Sequence, residues 1–145
     1  MANSLMLGCA KVGMDVTICS PAGLGPKQKI VDAARAAALG GAKVVVTDDI
    51  NEAISGANAV YTDVFFSMGQ EKDPAKEAAL MPMQVNAEMM AKAAPDAIFL
   101  HCLPAHRGEE VTDEVMEGAQ SRIFPEAENR LHAQKAVMYM LMKDN

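Results

Sequence analysis

The sequence lacks several features that mark whole classes of protein. It contains no tryptophan, only 4% aromatic residues and three cysteines. None of the cysteines forms a Cys-x-x-Cys pair, so neither a disulfide framework nor a zinc ribbon is indicated. No apolar run approaches the roughly 18 residues that span a bilayer, and no charged segment typical of a secretion signal is found. These absences predict a cytoplasmic protein without a membrane partner.

Positive charge is also scarce. The 13 Lys and Arg residues are outnumbered by 19 Asp and Glu residues, which gives a net charge of −6 and an isoelectric point near 5.0. Because such a chain repels phosphate backbones, the charge predicts no nucleic-acid partner. The length of 145 residues suits one hydrophobic core, so we expect a single domain over residues 1–145.

The loops that bind nucleotide cofactors are missing as well. Residues 23–25 (Gly-Leu-Gly) lack the third glycine of a dinucleotide fingerprint, and the following Pro26 has no N–H to offer a phosphate. A Walker loop is absent too. His101, Cys102 and His106 lie near one another in sequence, but no second pair of ligands has metal-binding spacing. The sequence therefore predicts neither a cofactor nor a metal.

Short apolar runs alternate with helical patterns along the chain. Strands are predicted at residues 15–20, 43–47, 59–64, 97–100 and 121–124. A long helix is predicted at 126–143, and Asp49, Asp73 and Asn86 are predicted to cap shorter helices. The alternation indicates an α/β fold, namely a doubly wound, Rossmann-like parallel sheet with helices on both faces, in three layers.

The first predicted element is a helix at residues 2–12, whereas a doubly wound sheet normally opens with a strand. We therefore expect the domain to be incomplete at its amino-terminal end. In the usual 3-2-1-4-5 strand order, the missing strand would lie in the middle of the sheet. Its neighbours would be the strands at residues 15–20 and 59–64.

Polar residues follow two of the predicted strands, at the sheet edge where open α/β folds bind ligands. His101, Cys102 and Leu103 come directly after an apolar run, and Asp63 and Ser67 lie around the end of another. A carboxylate and a hydroxyl a few residues apart can hold an ammonium group. Loop Asp and Ser are more often turn formers, Cys is among the most buried residue types, and a lone His near a strand end is usually just hydrogen-bonded. The residues alone leave both interpretations open.

Four ordered blocks of the sequence resemble the carbamoyltransferases, and within them the ornithine carbamoyltransferases. The blocks are SLMLGCAKVGMDV (4–16), VYTDVFFSMGQE (60–71), HCLPAHRGEEVTDEV (101–115) and EAENRLHAQKAVM (126–138). Together they cover nearly the whole chain. The resemblance implies the ornithine-binding domain of that family, without the carbamoyl-phosphate-binding domain and the first strand that precede the matching segment in the family.

The resemblance also implies how ornithine is held. The positions matching Asp63 and Ser67 bind the α-amino group of the substrate, and the backbone at Met68 lies against its α-carboxylate. The triplet Ser-Met-Gly at 67–69 favours ornithine over putrescine, because the putrescine enzymes of the family carry a different triplet there.

The carbamoyl end of the site is implied by three further positions. Cys102 lies near the δ-amino group of ornithine, and the carbonyls of Cys102 and Leu103 accept hydrogen bonds from the carbamoyl NH2. Arg130 contacts carbamoyl phosphate. The reaction is the attack of a neutral amine on a carbonyl carbon, so no covalent nucleophile is required. Cys102 and Arg130 are the expected catalytic residues, with Cys102 acting in electrostatics and positioning.

The function implied is transfer of the carbamoyl group of carbamoyl phosphate to the δ-amino group of L-ornithine, which yields L-citrulline and phosphate, as in arginine biosynthesis. Family members of full length are trimers, so a homo-oligomer is expected. Two alternatives stay open, namely a catalytically silent amino-acid-binding or interaction module and a carbamoyltransferase for another amine such as putrescine. The 145-residue chain by itself is expected to be inactive, because the phosphate-binding domain would supply most of the positioning.

Overall fold

The structure is a computed structural model that describes Met1–Lys143. Helices and strands alternate along the chain, and every strand pair is parallel, so the α/β class predicted from the sequence is confirmed. The elements are α1 Ala2–Lys11, β1 Val16–Cys19, α2 Gln28–Ala36, β2 Val44–Thr47, α3 Ile50–Ile54, β3 Ala59–Thr62, α4 Pro74–Leu80, a 3-10 turn Met81–Met83, α5 Ala87–Met90, β4 Ile98–His101, α6 Asp113–Met116 and α7 Ile123–Met142.

The strands form two separate two-stranded sheets. In the first, β1 pairs with β2 from Val16 opposite Val44 to Cys19 opposite Thr47. In the second, β3 pairs with β4. Both pairs are neighbours in the strand order expected for a doubly wound sheet. The position of a missing central strand between β1 and β3 stays a prediction.

The three predicted helix caps are present. Asp49 and Asp73 each accept hydrogen bonds from backbone N–H groups two and three residues further along the chain. Asn86 accepts from the N–H of Met89 at 2.9 Å. Each cap satisfies donors that have no partner inside the helix, which is worth about 1 kcal/mol.

The strand predicted at residues 121–124 is wrong. Ser121 forms a single bridge to Phe99, and the chain then turns directly into α7 at Ile123. Pro125 lies in the first turn of that helix, where a missing N–H costs nothing because those N–H groups have no helical partner. The long helix therefore begins three residues earlier than the predicted start at residue 126.

The described chain divides into two compact units. The first unit contains Met1–Ser55 and Lys72–Met83. Its core is built from the inner faces of α1 and α2 and from β2. The buried residues of that core are Met6, Ala10, Val31, Ala34 and Val44. The expectation of a single domain stays a prediction beside this division.

The second unit contains residues 56–71 and the chain from residue 84 onward, and it carries all the predicted site residues. Its buried apolar residues include Val60, Phe65, Phe66, Ala97, Phe99, Val111 and Ile123. Two ionisable side chains, His101 and Glu110, are also completely buried there. Among the described residues, no helix combines the length and apolarity needed to cross a membrane.

Candidate active site

The register of β3 against β4 places the two main predicted site residues side by side. Thr62 pairs with His101 at the ends of the strands, so the next residues, Asp63 and Cys102, emerge together at the carboxyl edge. The Cys102 thiol donates a hydrogen bond to Asp63 Oδ1 at 3.1 Å. The N–H of Val64 donates to the same oxygen at 2.9 Å. The Asp63 carboxylate is thus oriented by two donors at the strand end.

The surroundings of Cys102 keep its sulfur protonated. Burial raises the pKa of the thiol above its ordinary value, and the hydrogen bond to Asp63 raises the pKa further. The negative charge of Glu126 acts in the same direction, whereas the Tyr61 hydroxyl lowers the pKa. A neutral thiol is a poor nucleophile, so this environment fits positioning rather than covalent attack.

The Tyr61 hydroxyl is a member of the site that the sequence did not suggest. Its oxygen is buried, and burial, with Cys102 and Glu126 close by, raises the pKa of the phenol. Among the described residues, the buried Tyr61 hydroxyl oxygen has no partner with hydrogen-bond geometry, and this includes Cys102 and Glu126. Tyr61 therefore stays a neutral phenol beside the thiol.

We call residues 101–104 the HCLP loop, and buried side chains hold it. The Leu103 N–H donates to His101 Nδ1 at 2.9 Å, and the His101 N–H donates to Glu126 Oε2 at 2.9 Å. On the other side of the ring, His101 Nε2 lies 3.2 Å from Glu110 Oε1. Leu103 has a left-handed backbone with φ 55°, and the Leu103–Pro104 peptide is cis. Left-handed leucine costs about 1–2 kcal/mol, so the surrounding bonds must hold this conformation in place.

The other predicted ligand-binding segment is the SMG loop, which we define as residues 67–69. It begins after the buried pair Phe65 and Phe66 and lies exposed, with 90% of Met68 accessible to solvent. The Ser67 N–H donates to Gln70 Oε1 at 3.3 Å, and the Gln70 N–H donates to the Ser67 carbonyl at 3.0 Å. The loop is therefore a local turn, closed by the next residue, Gln70.

Arg130 lies exposed on α7. Four residues before it on the same helix, Glu126 accepts the N–H of His101. Residues four apart share one face of a helix, so Arg130 lies on the side of α7 that contacts the end of β4. The structure thus brings Asp63 and Cys102 into contact. Arg130 lies one helical turn after Glu126, the residue of α7 that binds the backbone of the HCLP loop.

One group of side chains in the described chain has the character of a metal site, namely His106, Glu109 and Glu110. Their potential ligand atoms lie within 4.8 Å of one another. This group differs from the set of His101, Cys102 and His106 considered from the sequence. Glu110 Oε1 already accepts the N–H of His106 and faces the ring of His101, so the protein itself supplies partners for that oxygen.

The sequence singles out His101 but not its buried pairing, and it does not point to Glu110 at all. One signal for His101 is present, because the period of two along β4 places His101 on the same buried face as Phe99. A histidine on a buried face needs a hydrogen-bond partner. Nothing local points to Glu110, which is brought inward by a bridge between Val85 and Val111.

Known proteins resemble this chain over nearly its whole length. The family described as aspartate/ornithine carbamoyltransferase, Asp/Orn binding domain, matches residues 1–141. An ornithine carbamoyltransferase of Rhodococcus opacus is 54% identical over 144 residues, which cover 98% of this chain and 46% of the relative. A catabolic ornithine carbamoyltransferase of Thermoplasma volcanium is 50% identical over 144 residues, covering 98% of this chain and 47% of the relative.

Solved structures give the same result. The ornithine carbamoyltransferase of Gloeobacter violaceus superposes with a TM-score of 0.88 at 49% identity, covering 98% of this chain and 47% of that one. The enzyme of Pyrococcus furiosus gives a TM-score of 0.90 at 44% identity, covering 96% and 45%. These likenesses confirm the Rossmann-like α/β fold. The chain spans about half the length of the relatives it matches, and it belongs to the aspartate/ornithine carbamoyltransferase family, whose Asp/Orn-binding domain it represents.

Proposed function

We propose that this chain forms the ornithine-binding half of an ornithine carbamoyltransferase, which transfers the carbamoyl group of carbamoyl phosphate to the δ-amino group of L-ornithine. The observation that carries the proposal is the contact of Asp63 with Cys102 at the ends of two adjacent parallel strands. The relatives that carry this name are about twice as long. Carbamoyl phosphate would then be bound jointly with the part of the relatives that this chain does not match.

The pair of Asp63 and Cys102 suits an amino acid with two amines of different charge. The Asp63 carboxylate supplies the counter-charge for an α-ammonium group, and Ser67 supplies a hydroxyl beside the same group. The δ-amine must be neutral to attack a carbonyl carbon. A thiolate beside it would favour the unreactive ammonium form, whereas the raised pKa of Cys102 keeps a neutral thiol there.

The carbamoyl group would be held by backbone atoms and one cation. In the proposed complex, the carbonyls of Cys102 and Leu103 accept hydrogen bonds from the carbamoyl NH2. Arg130 then balances the negative charge of the phosphate and of the developing oxyanion. The roles of Cys102 and Arg130 are electrostatic, and no bond forms between the protein and the substrate.

The proposal also covers the partners and assembly of the protein, its compartment and its pathway. The partners are L-ornithine and carbamoyl phosphate, and the full-length protein assembles as a homo-oligomer, a trimer as in the family. The reaction takes place in the cytoplasm, as the cysteine usage suggests. The pathway served is arginine biosynthesis, although one relative is named catabolic.

A second candidate is a catalytically silent amino-acid-binding module. It is favoured by the distribution of the site residues, since those for the amino acid are present and Arg130 is the one charged group assigned to the phosphate. The putrescine alternative is weaker, because the triplet at 67–69 is Ser-Met-Gly.

Carbamoyl transfer separates these candidates. We expect citrulline to form when this chain is fused to the amino-terminal half of the Rhodococcus opacus relative, and no citrulline to form with the 145-residue chain alone. Orientation by the missing half can be worth about 7 kcal/mol or more, which explains the expected silence of the chain alone. An inactive but folded fusion that still binds ornithine would favour the silent module. A fusion that carbamoylates putrescine as well as ornithine would exclude a required contact between the Met68 backbone and the α-carboxylate, because putrescine keeps both amines and lacks only that group.

A further inference from the structure

His101 and Glu110 form a polar pair with no exposure to solvent, outside the contact between Asp63 and Cys102. A buried carboxylate is costly unless each of its partners is in place. Here Oε1 of Glu110 has its partners in the HCLP loop and its immediate continuation, whereas Oε2 is buried without a hydrogen-bond partner among the described residues. The pair therefore acts on the backbone of that loop.

The hydrogen bonds fix the tautomer of His101. The Leu103 N–H donates to Nδ1 at 2.9 Å, so Nδ1 is an acceptor and carries no proton. The ring proton is then on Nε2, which lies 3.2 Å from Glu110 Oε1 and donates to it. Both ring nitrogens are thus occupied by the protein, and His101 has no nitrogen left to exchange a proton with a substrate.

Glu110 fixes the far end of the same segment. Its Oε1 also accepts the N–H of His106 at 2.5 Å, so one carboxylate oxygen binds both flanks of the loop. Glu110 is itself held in place, because its carbonyl accepts the N–H of Val85 at 2.9 Å. The Gln84 amide donates to the carbonyl of Glu109 at 2.7 Å. The anchor of the loop is therefore set by the segment at residues 84–85.

One peptide unit links this anchor to the carbonyls that face the ligand. The Leu103 N–H and the Cys102 carbonyl belong to the same trans peptide, in which N–H and C=O point in opposite directions. Once the N–H is bound to the His101 ring, the Cys102 carbonyl must point away from the ring. The left-handed backbone of Leu103, at φ 55°, then sets the direction of the next carbonyl.

We propose that His101 and Glu110 are positioning residues that aim the carbonyls of Cys102 and Leu103 at the carbamoyl NH2. This inference rests on the proposed function, which assigns those carbonyls to the carbamoyl group. It predicts that the pair matters for ligands with a carbamoyl group and not for ornithine itself. Neither side chain touches the substrate.

The tautomer is tested first, and independently of any ligand. In the 15N-labelled 145-residue chain at pH 7, we expect the ring signals of His101 to show an unprotonated Nδ1 and a protonated Nε2. We also expect a scalar coupling between the Leu103 amide nitrogen and Nδ1 across the hydrogen bond. A proton on Nδ1 would overturn the proposal, because the ring could not then accept the Leu103 N–H.

The second test compares two amino acids that differ by the carbamoyl group. Ornithine and citrulline are titrated by calorimetry into the unmodified chain and into Glu110→Gln, which keeps the size of the side chain and removes its charge. Glu110→Gln removes the charge from the acceptor of two hydrogen bonds, which should weaken citrulline binding about tenfold and leave ornithine binding within about twofold. The matched control is Glu117→Gln, because Glu117 makes an exposed ion pair with Arg107 in the same unit. This control should change neither affinity.

A third variant checks the role of the ring. His101→Asn keeps an acceptor near the position of Nδ1 but cannot reach Glu110, whereas His101→Leu has no acceptor. We expect His101→Asn to retain more citrulline affinity than His101→Leu does. Equal losses for ornithine and citrulline in the Glu110 and His101 variants would show that the pair only supports the fold, and would overturn the proposal. Absence of binding in both the unmodified chain and the fusion would make the proposed function fail, and the ring signals would then decide whether the pair fixes the loop.

Discussion

The HCLP loop and the SMG loop are segments that follow neighbouring parallel strands, β4 and β3, yet they are built in opposite ways. The HCLP loop is tied by buried side chains, with His101 and Glu110 fully excluded from solvent. The SMG loop is exposed and closed by Gln70 alone among the contacts described for it. The contact of Asp63 with Cys102 joins the end of β3, four residues before the SMG loop, to the HCLP loop.

The difference follows from what each loop has to do in the proposed reaction. The HCLP loop would orient a group on which charge develops, and groups aimed at a transition state act best when they are already fixed. The SMG loop would hold the spectator end of an amino acid, for which a local turn that adjusts to the ligand is sufficient. Ordering such a loop on binding costs free energy and lowers affinity. Under the proposed function, the loop held by buried side chains is the one that faces the reacting group.

Removal of the buried carboxylate should give the largest effect on the folded chain. We expect Glu110→Ala to lower the free energy of unfolding by about 3 kcal/mol, because it leaves the Nε2–H of His101 buried without an acceptor. Urea denaturation measures the loss, with Glu117→Ala as the control. Glu117 makes an exposed ion pair, so its loss should change stability by less than about 0.5 kcal/mol. Similar losses in the two variants would mean that the HCLP loop is not held as described.

Asp63, which contacts the HCLP loop from the end of β3, should dominate ligand binding. We expect Asp63→Asn to weaken ornithine binding by about 2 kcal/mol, roughly 30-fold in affinity, because the α-ammonium group loses its counter-charge. Cys102→Ala should weaken ornithine less, since a neutral thiol contributes no charge. Calorimetry measures both, and Asp113→Asn removes a carboxylate from an exposed ion pair with Arg107 as a control. Unchanged affinity in Asp63→Asn would separate Asp63 from the amino-acid site.

The sequence was sufficient for the parts of the fold that depend on local chemistry. Asp49, Asp73 and Asn86 each begin a helix as predicted, because a cap needs only the N–H groups two or three residues away. The contact of Asp63 with Cys102 could be anticipated in kind, since both follow strands of a parallel sheet. The wrong strand at residues 121–124 shows the limit of this approach. A single bridge from Ser121 to Phe99 satisfies the backbone there, and the apolar residues that follow belong to a helix.

The anchoring of the HCLP loop could not be predicted from local patterns. Glu110 stands in a charged stretch, Gly-Glu-Glu, which is typical of a solvated turn. It is buried because the bridge from Val85 to Val111, distant in sequence, draws this segment into the core. The neighbouring Glu109 is partly exposed, so adjacent identical residues have different environments. Such a choice is made by tertiary packing, which a single sequence does not reveal.

A change in the exposed loop should affect binding without affecting the fold. We expect Ser67→Ala to weaken ornithine binding by about 1 kcal/mol, because the α-amino group loses the Ser67 hydroxyl as a hydrogen-bond partner. The free energy of unfolding should stay within about 0.5 kcal/mol, since the Ser67 side chain is exposed. Putrescine, which has no α-carboxylate, serves as the comparison ligand in the same titration. If Ser67→Ala lowered the free energy of unfolding as much as Glu110→Ala, the contrast between the two loops would be contradicted.

The smallest expected effect is a dependence of stability on pH that comes from Cys102. Burial and Asp63 raise the pKa of this thiol in the folded state above its ordinary value of 9.0. Below that value the thiol is protonated in both states, so its contribution is fully present. As the pH rises, the unfolded chain loses the proton first, and the stabilising contribution is lost as the pH passes the raised pKa of the folded state.

The measurement is the difference in unfolding free energy between the unmodified chain and Cys102→Ala. We expect the difference to be constant from about pH 6 to 8 and to decline above about pH 9, the range in which an ordinary thiol ionises. Tyr61→Phe gives a directional check, because the Tyr61 hydroxyl lowers the pKa of Cys102. Its removal should leave the onset of the decline unchanged and extend the decline to higher pH, because only the pKa of the folded state rises. A difference that grows with pH would mean that the folded protein stabilises a thiolate, and Cys102 would then have to be considered as a nucleophile rather than as a neutral group that orients the amine.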